Sequence, residues 1–150
     1  MTLAVEISLI IPDNEARTAQ ATLQRLGIDV GELQRMSLWR LEIDAGERDA
    51  LLEVLKSTET IYNPNKNRLR VRDVASPERA EVWVDEPDSP AAHTGPPYIF
   101  AGRALPGVTR LERFVAWRLM DRGGKPAPDH VVEGAVETLL CNTAFQRAIR

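Results

Sequence analysis

The chain has a single cysteine, Cys141, among its 150 residues. One cysteine excludes an internal disulfide and any cysteine-rich zinc site. Long apolar stretches are also missing, because no run approaches the roughly 20 residues that a membrane-spanning helix needs. The first residues, Met-Thr-Leu-Ala-Val-Glu, have no basic flank and reach a glutamate too early for a signal peptide. These absences predict a cytoplasmic protein without a membrane segment.

Signatures of catalysis and metal binding are missing as well. The only two histidines, His93 and His130, have no second ligand at the spacing that zinc sites use. There is no glycine-rich phosphate loop and no Gly-x-Ser-x-Gly turn, Cys141 has no local signature of a nucleophile, and no carboxylates are paired in an obviously buried context. The sequence therefore predicts a protein that has no metal, no cofactor and no catalytic activity of its own.

Aromatic residues are scarce, at 5% of the chain, so the core must be built from Leu, Val, Ile and Ala. A ferredoxin-like sheet that binds RNA needs exposed aromatic residues, and the Lys/Arg-Gly-Phe/Tyr pattern of such sheets is absent. The net charge of −3 argues against a general nucleic-acid binder. We therefore expect no nucleic-acid partner.

Strands and helices are predicted to alternate in the first half of the chain. Apolar residues at every second position predict a first strand, a helical stripe ending at Leu26-Gly27 predicts a first helix, and the next two strands flank a second helix that starts at Gly46-Glu47. The predicted segments are, in order, residues 3–11, 13–26, 32–43, 47–58 and 66–74.

The resulting order, β-α-β-α-β over residues 1–75, predicts an α+β fold of ferredoxin-like architecture, with a sheet that carries two helices on one face. The opposite face is then open and available for a homodimer. The apolar phase of the second strand changes near Leu38, which predicts a bulge or twist there. Leu38 or Trp39 is therefore expected on the open face, at the dimer interface.

The second half of the chain differs in character. Residues 76–107 are predicted to be an acidic, proline-rich connection, in which Val82-Trp83-Val84 forms one short strand. Residues 108–150 are predicted to form a helical hairpin. Its first helix starts at a capping box, Thr109-Arg110-Leu111-Glu112, and the second follows Pro126-Ala-Pro128-Asp129, with a break expected at Asn142.

The most unusual stretch follows the turn Asn63-Pro64-Asn65. Cations occupy every second position of the next strand, as Lys66, Arg68, Arg70 and Arg72. Alternate side chains of a strand point the same way, so one face carries all four charges. Two interpretations are open: the cations prevent another strand from pairing with an exposed edge, or they bind an anion or an acidic partner.

Four features of the first half form a pattern that is known from one family. They are the strand Val5-Glu6-Ile7-Ser8-Leu9, the helix ending in Leu26-Gly27, the strand Met36–Ile43 with an aromatic residue and a glutamate near its end, and the helix Leu51–Leu55 followed by Asn63-Pro64. With these features, residues 3–74 resemble the PurS-type small subunit of phosphoribosylformylglycinamidine synthase, the fourth-step enzyme of purine synthesis.

The resemblance implies a non-catalytic subunit that forms dimers and bridges a glutaminase subunit to a synthetase subunit. A second interpretation is a stand-alone dimeric regulator that uses the same fold to hold a small anion between its subunits. A third is an enzyme that uses arginine and glutamate residues at positions that the sequence does not identify. In the first two, the partner or anion is expected at Lys66, Arg68, Arg70 and Arg72.

Overall fold

The computed structural model of the chain describes residues 1–86, 97–141 and 147–150. A 3₁₀ turn, Ala45–Glu47, precedes the second helix, and a π-helical turn, Val136–Leu140, follows the third. The strands and helices are, in chain order, β1 Thr2–Leu9, α1 Asn14–Arg25, β2 Glu32–Ile43, α2 Arg48–Ser57, β3 Asn67–Arg72, β4 Glu81–Asp85, β5 Ile99–Phe100, β6 Arg103–Ala104, β7 Val108–Met120, α3 Asp129–Ala135 and β8 Ala148–Ile149.

The fold is α+β, as the sequence predicts. Six strands are hydrogen-bonded in the order β3-β1-β2-β7-β4-β8, and β5 and β6 form a separate two-stranded sheet. The pairs β1–β3, β4–β7 and β4–β8 are antiparallel. The predicted order of strands and helices over the first half is found, and so is the short strand around Trp83. The ferredoxin-like arrangement itself stays a prediction.

The predicted helix after Thr109 is wrong, because residues 108–120 form the 13-residue strand β7. The Thr109 hydroxyl donates a hydrogen bond to the Glu42 carbonyl (3.2 Å) instead of capping a helix. Leu111, Phe114 and Leu119 were assigned to one helical stripe, and all three are buried. In a strand, alternation puts Phe114 on the opposite face from Leu111 and Leu119. A strand that is covered on both faces shows no simple alternation, and this misled the helical assignment. The predicted helical hairpin over residues 108–150 is therefore not found.

The last predicted helix does form. It begins at Asp129, as α3, and continues into the π-helical turn. The expected break at Asn142 lies outside the described residues, and so do residues 87–96 of the proline-rich connection, which include His93.

Burial also explains the phase change in β2. The strand is continuous over its 12 residues. Apolar side chains are buried at odd positions, Leu33, Trp39 and Leu41, and also at even positions, Met36 and Leu38. Burial at both kinds of position accounts for the pattern, and the bulge or twist near Leu38 stays a prediction.

Two compact units make up the chain. Unit 1 consists of Met1–Ile11, Ser37–Ala75 and Asp88–Arg113, and unit 2 of Pro12–Met36, Ser76–Pro87 and Phe114–Arg150. Strands β2 and β7 each contribute residues to both units. The predicted division into domains 1–75, 76–107 and 108–150 stays a prediction.

The core of unit 1 forms where the apolar side of β1 packs against α2. Leu3, Val5 and Ile7 supply the strand side, as their alternation predicts, and the hairpin of β5 and β6 adds partly buried Phe100. The helix side consists of Leu51, Leu52 and Leu55.

The core of unit 2 joins both of its helices to β4 and β7. Leu23 comes from α1, Val132 and Ala135 from α3, and Val82 and Leu119 from the two strands. The start of α1 is fixed by Asp13, whose Oδ1 accepts hydrogen bonds from the N–H groups of Glu15 (3.0 Å) and Ala16 (3.2 Å).

A close backbone approach in unit 2 leads to a test of this fold. A Cβ atom at Gly31 would lie 2.4 Å from the backbone carbon of Asp121. We expect Gly31→Ala to lower the free energy of unfolding by about 1–3 kcal/mol, because backbone on both sides must shift. Urea denaturation monitored by circular dichroism measures this change.

The matched control is Gly46→Ala, since a Cβ atom there meets nothing within 4 Å. Its effect on the free energy of unfolding should stay within about 0.5 kcal/mol. Equal stability of the two variants would contradict the close approach between Gly31 and Asp121.

Candidate functional site

Strand β3, which contains Arg68, Arg70 and Arg72, stands at one end of the strand order of the six-stranded sheet and pairs with β1. Its start is fixed by the preceding turn. The Asn63 side-chain oxygen accepts a hydrogen bond from the Asn65 N–H (2.9 Å), and the Asn67 side-chain oxygen accepts one from the Asn63 N–H (2.9 Å). Asparagine side chains that bond to nearby backbone in this way stabilise tight turns. The turn therefore determines where β3 begins.

Side chains alternate along β3 as its sequence predicts. Leu69 and Val71 are partly buried and pack against the core of unit 1. The three arginines of the strand belong to the other face, in register with Ser8, Glu6 and Ala4 of β1. The apolar side chains thus hold the strand on the core while the cations face away from it.

Glu6 divides the cations into two groups. It lies directly opposite Arg70 and is only 7% exposed. Its Oε1 accepts hydrogen bonds from Arg70 (3.0 Å) and from Arg72 (3.5 Å), and the Arg72 side chain is itself buried. A buried carboxylate is costly unless cations and hydrogen bonds compensate it. Arg70 and Arg72 therefore have a structural role, to balance the charge of Glu6.

Lys66 and Arg68 form the second group. Both are exposed, and neither side chain forms an ion pair with any residue that the structure describes. Arg68 lies opposite the uncharged Ser8. These two cations are therefore free to contact another molecule.

Exposed apolar side chains adjoin the free cations. Leu9 pairs with Asn67 and is 40% exposed, and Ile10, 49% exposed, donates its N–H to the Lys66 carbonyl (2.9 Å). We refer to Leu9, Ile10, Lys66 and Arg68 as the edge patch. It combines two positive charges with apolar surface that unit 1 leaves open to solvent.

A depression of about 270 Å³ lies beside the same turn. Residues from the end of α2 and from the turn line it, among them Lys56, Glu59, Tyr62 and Asn63. Neither Lys66 nor Arg68 belongs to its lining. The free cations thus lie on open surface outside this depression.

Leu38 and Trp39 were expected on an open sheet face, and the structure places both side chains in the interior. Leu38 is fully buried, and Trp39 is 2% exposed. The Trp39 ring packs edge-on against Phe100 at 5.0 Å, and the Arg113 guanidinium lies 4.8 Å from the Trp39 ring centre. Both residues belong to the interior of the folded chain, so they offer a second copy no exposed surface.

Unit 2 contains a second buried carboxylate, which, like Glu6, was not predicted from the sequence. Glu81 is 1% exposed and accepts hydrogen bonds from the Trp83 indole N–H (2.6 Å) and from Arg118 (2.8 Å). Arg118 lies directly opposite it on β7. Sequence reasoning missed this pair because a helical assignment of residues 109–122 left Arg118 without a strand neighbour.

Cys141 has the environment of a structural thiol. It is buried, and burial raises the pKa of its thiol, with a smaller contribution from the negative charge of Asp85. Both effects disfavour the thiolate, the reactive form. His130 is exposed at the start of α3, and within the described ranges no group of three or more His, Cys, Asp or Glu side chains is placed to hold a metal ion.

Comparison with family models, curated proteins and solved structures finds no match to this chain. The resemblance to the PurS-type subunit therefore rests on the sequence pattern alone. None of the helices in the described part of the chain is long and apolar enough to cross a membrane.

The ion pairs of Glu6 give a direct test of the division among the cations. We expect Glu6→Gln to lower the free energy of unfolding by about 3 kcal/mol, because two arginines, one of them buried, lose the negative charge that compensates them. Chemical denaturation of the purified variant measures the loss.

Glu53→Gln is the matched control, since Glu53 is exposed on α2. The control should change the free energy of unfolding by less than about 0.5 kcal/mol. If Glu6→Gln is as stable as this control, the assignment of Arg70 and Arg72 to a structural role is wrong.

Proposed function

We propose that this protein is a non-catalytic assembly subunit that binds a partner protein through the edge patch. The observation that carries the proposal is the unequal use of four cations, Lys66 just before β3 and the three arginines within it. Glu6 compensates Arg70 and Arg72, whereas Lys66 and Arg68 remain exposed without an ion pair among the described residues. Compensation of Glu6 accounts for the first two cations but not for the other two.

The chemistry of the edge patch suits a protein surface. Leu9 and Ile10 provide apolar contact area, and Lys66 and Arg68 provide charge at its border. Interfaces commonly combine an apolar centre with charged groups around it, and the charges mainly speed association and select the partner. Since the cations lie outside the neighbouring depression, the patch favours a broad protein contact over an enclosed small anion.

The specific form of the proposal follows the PurS resemblance. In that form the protein bridges a glutaminase subunit and a synthetase subunit in purine synthesis. Support comes from the strand and helix pattern of residues 3–74 and from the β-α-β-α-β order of the first half. The edge patch would then contact an acidic surface on one of these two subunits.

The proposal predicts a partner complex that depends on charge. We expect Lys66→Gln/Arg68→Gln to fold with a free energy of unfolding within about 0.5 kcal/mol of the unchanged protein, because both sites are exposed. The variant should lose most of the partner that co-purifies with the unchanged protein at low salt. Raising the salt should reduce the difference, since salt screens exposed charges.

The control for this experiment is Arg17→Gln/Arg79→Gln, which removes two exposed cations outside the edge patch. At each salt concentration it should retain as much partner as the unchanged protein does. Equal retention by both double variants at low salt would contradict the proposed contact surface. If Lys66→Gln/Arg68→Gln loses the ability to bind phosphate but retains every co-purifying protein, the small-anion regulator is favoured instead.

A homodimer is also part of the proposal. Light scattering at micromolar concentration should report the mass of two chains. Because Leu38 and Trp39 are buried, we expect Leu38→Ala and Trp39→Ala to lower the free energy of unfolding of the chain by about 2–5 kcal/mol. Neither substitution should act directly on a dimer interface. A monomer at all accessible concentrations would remove the dimer from the proposal.

A further inference from the structure

The outer edge of β3 exposes a defined set of backbone groups. Ile10 donates its N–H to the Lys66 carbonyl, so these two residues form a hydrogen-bonded pair with β1. Bonded and non-bonded pairs alternate along an antiparallel ladder. The arginines of β3 therefore turn their backbone groups toward β1, whereas Leu69 and Val71 turn their N–H and C=O groups away from it. In the part of the chain that the structure describes, no strand pairs with this outer edge.

Side chains give the same edge two chemically different faces. On one face lie Lys66, Arg68 and Arg70, and the Arg70 side chain remains 46% exposed although it contacts Glu6. On the other face Leu69 and Val71 are partly buried against the core of unit 1. A strand added at this edge would therefore meet cations on one side and apolar surface on the other.

A second copy of β3 does not fit this edge. In each copy the odd-numbered residues would form the backbone hydrogen bonds to the other copy. If Leu69 pairs with Val71 of the second copy, Arg70 lies opposite Arg70. If Leu69 pairs with Leu69, Arg68 lies opposite Arg70. Like charges directly opposite each other on neighbouring strands are destabilising. The edge thus repels its own sequence and is complementary to an acidic one.

We propose that the outer edge of β3 binds an extended acidic segment of the partner protein by antiparallel strand addition. Acidic residues of the segment lie opposite Arg68 and Arg70, and apolar residues lie opposite Leu69 and Val71. Non-bonded pairs bring Cα atoms to about 4.5 Å, which favours close ion pairs, while the backbone bonds supply the affinity. This inference rests on the proposed function, because it specifies how the partner of the assembly subunit is held.

A synthetic peptide tests the inference with the full chain. The labelled peptide Thr-Val-Glu-Val-Glu-Val-Glu places glutamates opposite Arg70, Arg68 and Lys66, and fluorescence anisotropy at low salt measures its binding. Arg68→Glu should weaken binding by about fivefold to tenfold, whereas Arg79→Glu, a reversal at an exposed site elsewhere, should not change it. The same peptide with lysine in place of glutamate should not bind.

Backbone N-methylation distinguishes strand addition from simple charge attraction. In the antiparallel arrangement the valines turn their N–H groups toward Leu69 and Val71, and the glutamates turn theirs outward. A peptide methylated at the valine nitrogens should lose binding, whereas one methylated at the two central glutamate nitrogens should keep it within about twofold, since those groups form no bond to β3. Equal affinity of the two methylated peptides would overturn the inference.

The two proposals can fail separately. If no acidic peptide binds, while Lys66→Gln/Arg68→Gln still loses the native partner, strand addition is wrong and the assembly function stands. If the native complex survives that double variant, the proposed contact surface is wrong, and the inference drawn from it fails as well.

Discussion

A buried carboxylate must meet a cation, and this requirement determines strand pairing in both units of the chain. Glu6 of β1 lies directly opposite Arg70 of β3, and Glu81 of β4 lies directly opposite Arg118 of β7. A slip of one residue in either pair would turn the arginine to the other face and leave the glutamate without it. Apolar burial drives each pair of strands together, and these ion pairs select the register in which the two strands pair.

The sequence predicts the first half of this fold well because its signals are local. The apolar alternation in the sequence of β1, the Asp13 cap of α1 and the Asn63 turn each act over a few residues, and the structure contains the strand, the cap and the turn. Strand β7 could not be identified in this way. Its apolar residues are buried on both faces, so their spacing imitates a helix, and only its long-range partners show that it is a strand.

The sequence predicts which cations belong to the candidate site, but not which of them Glu6 compensates. The alternation of four cations is visible in the sequence. The two that Glu6 compensates are known only once β1 and β3 are in register, because Glu6 and Arg72 are 66 residues apart. A glutamate in the middle of an otherwise apolar strand was the available signal, since such a residue is rarely buried without a partner. Glu81 lacked this signal, because it is the first residue of β4.

Repulsion between arginines at the outer edge of β3 also bears on how the protein behaves when concentrated. A guanidinium group keeps its charge over the whole pH range in which proteins remain folded, so acid or mild base leaves this protection against self-pairing intact. Dissolved salt acts differently, because the Debye length falls to about 3 Å at 1 M ionic strength. The charges therefore oppose the pairing of two β3 edges, and this opposition is weakest in concentrated salt.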